Sequence, residues 1–181
     1  MCDVQAARGT ALRSSTGRLW WIIAGIAIPG YLLDLVTKRW ALAGLDPTDP
    51  PSFLGGWLRL VLLRNPGAAF SLGTGATVAL SLLALTALVV LLFGVAPRVR
   101  RPVSAVATGM LLAGVAGNLT DRLFREPGPF RGHVVDFIAL RHFAVFNVAD
   151  MFITATAVLM VLLAFRDPAR HGSPSPQVAG E

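Results

Sequence analysis

The chain has 181 residues, of which 54% are hydrophobic and 14% charged, with a formal net charge of +6 and a mean hydropathy of +0.64. Soluble domains carry about 25% charged residues, so this composition excludes a soluble globular protein and describes a small bundle of membrane-spanning helices. The positive charge excludes no less: the arginines stand singly or in threes at the ends of apolar runs, as membrane anchors do, and form no stripe for a nucleic acid.

Residues 1–18 form an amino-terminal tail carrying Arg8, Arg13 and Arg18. Its one cysteine, Cys2, allows neither an intramolecular disulfide nor, by itself, a zinc site. The first apolar run extends from Leu19 to about Leu42 and holds Asp34, Lys38 and Arg39 in its outer third. It continues into charged helix-like sequence without a clear small-residue cleavage site, so it reads as a retained span. In the segment 43–74, Asp46 to Pro51 is turn-rich. Trp57 to Leu63 suits either a strand pair or an interfacial segment. Asn65-Pro66-Gly67 is a tight turn with positive φ expected at the glycine.

The second span covers about Gly75 to Val95, and Arg98, Arg100 and Arg101 crowd the connection that follows it. The third runs from Pro102 to about Leu119, and the fourth from near Asp150 to Phe165. Each is close to the roughly 20 residues that cross a hydrocarbon core. The positive-inside rule places the arginine-rich connection and both termini in the cytoplasm. The outer segments are then 43–74 and 120–149. Residues 167–181, rich in Pro, Gly and Ser, read as a disordered cytoplasmic tail, leaving 19–166 as the membrane domain.

Polar clusters gather at the outer edge of this domain. Asp34 and Lys38 are spaced i, i+4 with the acid first, a favourable order on one helical face. They form either a neutralising ion pair that lets the helix insert or part of a reactive site. Asn65 can hydrogen-bond a substrate main chain or simply shape a turn. Asn118 lies one helical turn before Asp121, a rival for the reactive role, whose neighbour Arg122 favours an ionised carboxylate if their charges approach. That suits a scaffold ion pair better than a group that trades protons.

Asp136 and Asp150 are the most informative residues. A carboxylate at the middle of a spanning helix costs roughly 2.5–3.5 kcal/mol, so acids at the membrane edge require a reason. Asp136 sits among Val134, Val135, Phe137 and Ile138, where desolvation raises a carboxyl pKa. Asp150 begins the fourth helix, where the dipole favours negative charge. Carboxyls in unlike environments can divide acid and base roles, and close ones titrate as a pair. Spacing equally allows two unrelated, water-facing residues. His133 and His142 supply no metal-ligand set and read as surface or hydrogen-bonding residues.

Five motifs occur in order against these spans: Asp34-x-x-Thr37-Lys38, Asn65-x-Gly67-Ala68-Ala69-Phe70-Ser71, Gly117-Asn118-x-x-Asp121-Arg122, Val134-Val135-Asp136-Phe137 and Phe146-Asn147-x-Ala149-Asp150. In this series the chain resembles the bacterial lipoprotein signal peptidases, over about residues 20–165. The resemblance implies an α-helical membrane aspartyl peptidase with four transmembrane helices, a small extracytoplasmic β-cradle and a short periplasmic helix. It implies a catalytic dyad at Asp136 and Asp150, supported by Asp34, Lys38, Asn65, Gly67, Asn118, Asp121, Arg122 and Asn147. It implies no metal and no cofactor. The partners implied are the bilayer of the bacterial cytoplasmic membrane and a diacylglyceryl prolipoprotein, cut before its lipidated cysteine, with the active site outside the cytoplasm. Nothing demands more than a monomer. One departure stands out: Phe137 to Ala149 is shorter than usual in the family, which touches the flap between the dyad members.

Two other classes fit parts of the sequence. A proton-coupled transporter needs charges near the middle of broken spans, whereas these cluster at one edge. A non-enzymatic assembly factor would not require both carboxyls. A lipid-head-group transferase is weaker still, because no phosphate-binding glycine loop or metal-spaced acidic set is present.

Overall fold

The computed structural model describes residues 14–67 and 75–166. Cys2, most of the amino-terminal tail, Ala68 to Ser71 and the tail 167–181 lie outside the described residues. Four helices are long and apolar enough to cross a membrane. They are α1 (Ser14–Gly44), α2 (Gly75–Val89), α3 (Pro102–Phe124) and α4 (Val148–Arg166). A π-helical stretch, Val90–Val95, and a 3-10 turn, Ala96–Arg98, prolong α2. Between spans lie three short strands: β1 (Ser52–Phe53), β2 (Leu58–Asn65) and β3 (Val134–Leu140). Trp57 to Leu63 therefore enters a strand pair. Beyond the spans and their extensions, helical structure among the described residues is one 3-10 turn, Leu54–Gly56.

The spans run longer than the sequence pattern indicates. The third continues past Leu119 to Phe124, which puts Asp121 and Arg122 inside α3 rather than in the loop that follows. The fourth begins two residues early, at Val148. In both cases polar side chains are satisfied by other elements, so the helix need not stop where its hydrophobic run stops.

Helix α3 is the hub, packing against α1, α2 and α4. Its buried positions include Ala105, Ala107, Gly109, Ala113, Gly114 and Gly117. Lipid tails are as apolar as Leu, so spanning helices associate through close backbone packing, which small residues allow. At Gly114 the approach is extreme. A Cβ there would lie 2.6 Å from the Ala149 carbonyl oxygen and 2.7 Å from Ile153 Cγ1. The large apolar side chains point outward instead; Leu33, Val36, Leu83 and Val158 are among those exposed, as lipid-facing residues must be.

The strands form one antiparallel sheet in the order β1-β2-β3. Leu60 pairs with Ile138 and Leu63 with Asp136, so two residues of β2 oppose the single Phe137. Such a bulge bends its strand and re-aims the side chains beside it. A small core of Ala41, Leu45 and Phe137, with Leu60, Leu62 and Ile138 against it, seats the sheet on the end of α1. After β3 the chain reverses at once. Phe143 N–H donates to the Leu140 carbonyl (3.0 Å), His142 takes a φ of 64°, and Phe146 pairs with Ile138. The short stretch between Phe137 and Ala149 is thus a tight hairpin that returns the chain beside Asp136.

Gly114→Ala is expected to force α3 and α4 apart and to destabilise the bundle by about 1–3 kcal/mol. A thermal melt in detergent measures this as a lowered Tm, and an unchanged Tm would contradict the packing described.

Candidate active site

The site begins with a buried lysine. Lys38 is fully buried, and its ammonium reaches three oxygens. Asn118 Oδ1 accepts from it at 3.0 Å, while Asp34 Oδ2 and Asp121 Oδ2 lie at 2.8 and 3.0 Å. The Asp34 contact is a charge pair rather than a well-aligned hydrogen bond. Each carboxylate then reaches onward. Asp34 Oδ1 accepts from the Ala149 N–H of α4 (2.9 Å), and Asp121 Oδ2 from the Val135 N–H of β3 (3.1 Å). Asp121 Oδ1 also meets Arg125 Nε. Gly117 makes room for this cluster, since a Cβ there would collide with the Asp34 carboxylate.

The two sequence-predicted acids meet across one asparagine. Asn147 is the N-cap of α4, and its Oδ1 accepts from the Asp150 N–H (3.0 Å). Asp150 Oδ2 accepts from the Asn147 N–H in return (3.2 Å). This reciprocal arrangement is a capping box with Asn and Asp in the two positions. Because Asn147 Oδ1 is an acceptor here, its Nδ2 is left to donate. It does so to Asp136 Oδ1 (2.6 Å) and Asn118 Oδ1 (3.2 Å). One side chain therefore holds Asp136 directly and Asp150 through the helix cap. Asn118 Nδ2 donates to Asp150 Oδ1 (2.8 Å), and Asn65 Nδ2 donates to Asp136 Oδ2 (2.9 Å).

Asp136 is 1% exposed, and its pKa is pushed up to about 6, chiefly by burial. The hydrogen bond from Asn65 opposes the rise, the Asp150 charge adds to it, and Asn147 and Lys38 oppose it. From an ordinary 3.8, such a shift means that ionising the group here costs roughly 3 kcal/mol more than in water. Desolvation outweighs two amide donors. The strand supplies that desolvation: Val134, Val135 and Phe137 on either side are all buried.

Asn65 is placed by its own turn. Its Oδ1 accepts from the Gly67 N–H (2.8 Å), Gly67 has the expected positive φ of 107°, and Thr77 Oγ1 of α2 donates to the Pro66 carbonyl. The structure thus brings Asp34, Lys38, Asn65, Asn118, Asp121, Asp136, Asn147 and Asp150 into one connected network. His142 is exposed and His133 half-buried, and neither joins it.

Asp121 forms a scaffold ion pair, and its partners are Lys38 and Arg125 rather than its neighbour Arg122. Adjacent helical residues do not face each other, whereas residues four apart do. Arg122 Nη1 is buried with no hydrogen-bond partner among the described residues, and it lies 3.9 Å from where a Cβ on Gly67 would be. Arg125 is the residue missed in the sequence. Its i, i+4 spacing from Asp121 becomes a signal only when the third helix runs on to Phe124. The buried Ser81, which donates to the Phe130 carbonyl from α2 (2.8 Å), had no such signal.

Replacing Lys38 by Met should be severe, because it leaves Asp34 and Asp121 buried without their common cation. Breaking a buried pair by removing one partner costs about 3–5 kcal/mol. Unfolding in detergent should register that loss, and a near-neutral result would show the cluster to be solvated.

Residues 26–166 match the family described as signal peptidase (SPase) II. The lipoprotein signal peptidase of Streptomyces coelicolor is 44% identical over 145 residues, which are 80% of this chain and 71% of the relative. That of Mycobacterium tuberculosis is 45% identical over 143 residues, 79% of this chain and 70% of the relative. That of Mycobacterium avium is 43% identical over 155 residues, 86% and 85% of the two chains. Two solved bacterial membrane enzymes share the fold. One has a TM-score of 0.70 at 24% identity, covering 87% of this chain and 93% of its own. The other has a TM-score of 0.68 at 26% identity, covering 83% and 94%. The motifs from Asp34 to Asp150, three of the spans, most of the first and the sheet fall within the matched region, and the chain belongs to the signal peptidase II family.

Proposed function

We propose that this protein removes the signal peptide from diacylglyceryl-modified prolipoproteins, cutting before the lipidated cysteine with Asp136 and Asp150 as its dyad. The observation that carries the reading is Asn147 joining the two carboxyls, with one of them held in a desolvated strand. The relatives' printed name, lipoprotein signal peptidase, supplies the substrate class. A lipid-anchored peptide arrives laterally in the bilayer, and a dyad at the ends of spans meets its scissile bond near the surface. By the positive-inside argument that surface is the extracytoplasmic one and both termini are cytoplasmic.

In the proposed chemistry the pair shares one proton. Asp136, favoured by burial as its seat, donates that proton to the scissile carbonyl oxygen. Asp150 takes a proton from water as the water attacks the carbonyl carbon, giving a tetrahedral gem-diol. Return of a proton to the nitrogen of the cysteine releases the signal peptide. Asn65 and Asn147 keep the Asp136 carboxyl oriented, and Asn118 does so for Asp150. Arg122, with a buried donor unpaired, is suited to a substrate carbonyl. Asp34, Lys38 and Asp121 act as scaffold. One chain supplies both acids, so the reading needs no second copy.

Asp136→Asn and Asp150→Asn should each lower cleavage of a diacylglyceryl prolipoprotein by about a thousandfold or more while the protein stays folded. Full activity in either variant would sink the dyad. The pH profile gives a second measurement. If protonated Asp136 is the acid, kcat should fall as pH rises through about 6. Removing the Asn65 donor weakens support for the ionised form. Asn65→Ala should therefore move that limb to higher pH, and a shift to lower pH would assign the proton elsewhere.

A further inference from the structure

Helix α2 is mostly apolar, with Leu82, Leu83 and Val89 exposed, yet two of its hydroxyl side chains are buried: Thr77 is 3% exposed and Ser81 0%. They stand four residues apart and so share one helical face. A hydroxyl within a helix ordinarily donates to the carbonyl one turn back, as Thr86 does to Leu82 (2.8 Å). Thr77 donates out of the helix instead, to the Pro66 carbonyl (2.5 Å). Ser81 Oγ lies 2.8 Å from the carbonyl oxygens of both Thr77 and Phe130, and so bridges its own helix to a second loop.

The two loops meet at one end of the sheet. Pro66 directly follows Asn65, the last residue of β2, and Asn65 pairs with Val134, the first residue of β3. Phe130 belongs to the segment leading into Val134. That segment is seated on the end of α3: the Gly132 N–H donates to the Arg122 carbonyl and the His133 N–H to that of Glu126, both at 3.1 Å. Phe130 holds a φ of 63°, a costly conformation for a bulky side chain, and its carbonyl is the one that Ser81 reaches. Leu80, between the two hydroxyls, closes on the turn after Asn65, since a Cβ on Gly67 would meet its Cδ1 at 2.6 Å. One face of α2 therefore grips the chain just after Asn65 and just before Val134. Two residues further along β3 is Asp136, which accepts from Asn65 Nδ2 (2.9 Å).

We propose that Thr77 and Ser81 are positioning residues of this site: from α2 they hold the Asn65–Val134 end of the ladder closed, and with it the Asn65 amide against the Asp136 carboxyl. Neither hydroxyl needs to touch the dyad. The proposal deepens the reading above, in which Asp136 gives up its proton and becomes a carboxylate. The Asn65 N–H stabilises that carboxylate, so an amide free to drift makes Asp136 a weaker acid. The other charged groups facing Asp136 are Asp150 of α4, Lys38 of α1 and Arg122 of α3, and all three stay in place in the variants that follow.

The test reads Asp136 without turnover. In the purified full chain in detergent, infrared difference spectra follow with pH the carboxyl C=O band that Asp136→Asn removes. Thr77→Val keeps the branched shape without the hydroxyl and should move this titration to higher pH, in the direction expected of Asn65→Ala. Ser81→Ala should do the same. Thr77→Ser restores the donor and should titrate like the unmodified chain, as should Thr86→Val, which removes a hydroxyl that stays within α2. In an Asn65→Ala background Thr77→Val should add no further shift, because the group it positions is gone. In cleavage assays Thr77→Val should lower kcat roughly two- to tenfold, the range of one hydrogen bond, with KM little changed. A lowered Tm with the titration unmoved is what a merely structural hydroxyl gives, and it would overturn the proposal. So would an equal shift from Thr77→Val with and without Asn65. If one of the two single variants does not fold, the other decides. A shifted titration together with full cleavage by Asp136→Asn would leave the positioning standing and sink only the dyad.

Discussion

An ammonium group surrounded by two carboxylates and an amide, out of reach of water, holds the working end of this protein together. Lys38 belongs to α1, but its partners belong to α1 and α3, and those partners in turn bind the backbone of α4 and β3. A buried ion pair is weak evidence for stability in itself, since desolvating two charges cancels most of their attraction. Its effect here is geometric. Once Lys38 is buried, Asp34 and Asp121 have one low-energy placement each, and their second oxygens then fix where α4 starts and where β3 runs. A hydrophobic replacement of similar volume could seal the same space, but it would leave the N–H groups of Ala149 and Val135 without acceptors.

The meeting of Asp136 and Asp150 at Asn147 depends on this scaffold one step removed. Helix starts leave backbone N–H groups unpaired, and at α4 these are taken by Asn147 and Asp34. The capping side chain is then the one that touches Asp136. Positioning of the two acids is therefore a by-product of satisfying a helix terminus at the membrane edge, where unpaired donors are expensive. The hairpin after β3 completes the arrangement. A longer connection could reach α4 as well, but pairing Phe146 with Ile138 leaves only Asn147 to span from the sheet to the helix.

Along α3 the chemistry changes from one end to the other. Its carboxyl-terminal half carries Asn118, Asp121 and Arg122 into the site, while its amino-terminal half carries small residues and meets the arginine-rich connection. Small residues permit α1 and α4 to approach closely near the site, and the same helix leaves α2 and α4 separated at the far end. One end of the bundle is thus tied together by polar side chains, and the other is packed mainly through apolar and small ones.

Much of this was legible in the amino-acid order. Four apolar runs of spanning length, the absence of enough charge for a soluble surface and the i, i+4 relation of Asp34 to Lys38 depend on composition and period alone. Local chemistry also implied the positive φ of Gly67 and the desolvation of Asp136 among branched and aromatic neighbours. What spacing could not decide was which polar groups meet, because the partners are 11 to 115 positions apart. It could not name Lys38 and Arg125 as the partners of Asp121, since adjacency in sequence is not adjacency on a helix. It left Asp136 and Asp150 open between a pair and two strangers. Only the packed structure brings both to one asparagine: the hydrogen bonds that Asn147 makes to β3 and within the start of α4 require the helix cap, the hairpin and the lysine cluster to exist together, and no stretch of the chain contains all three.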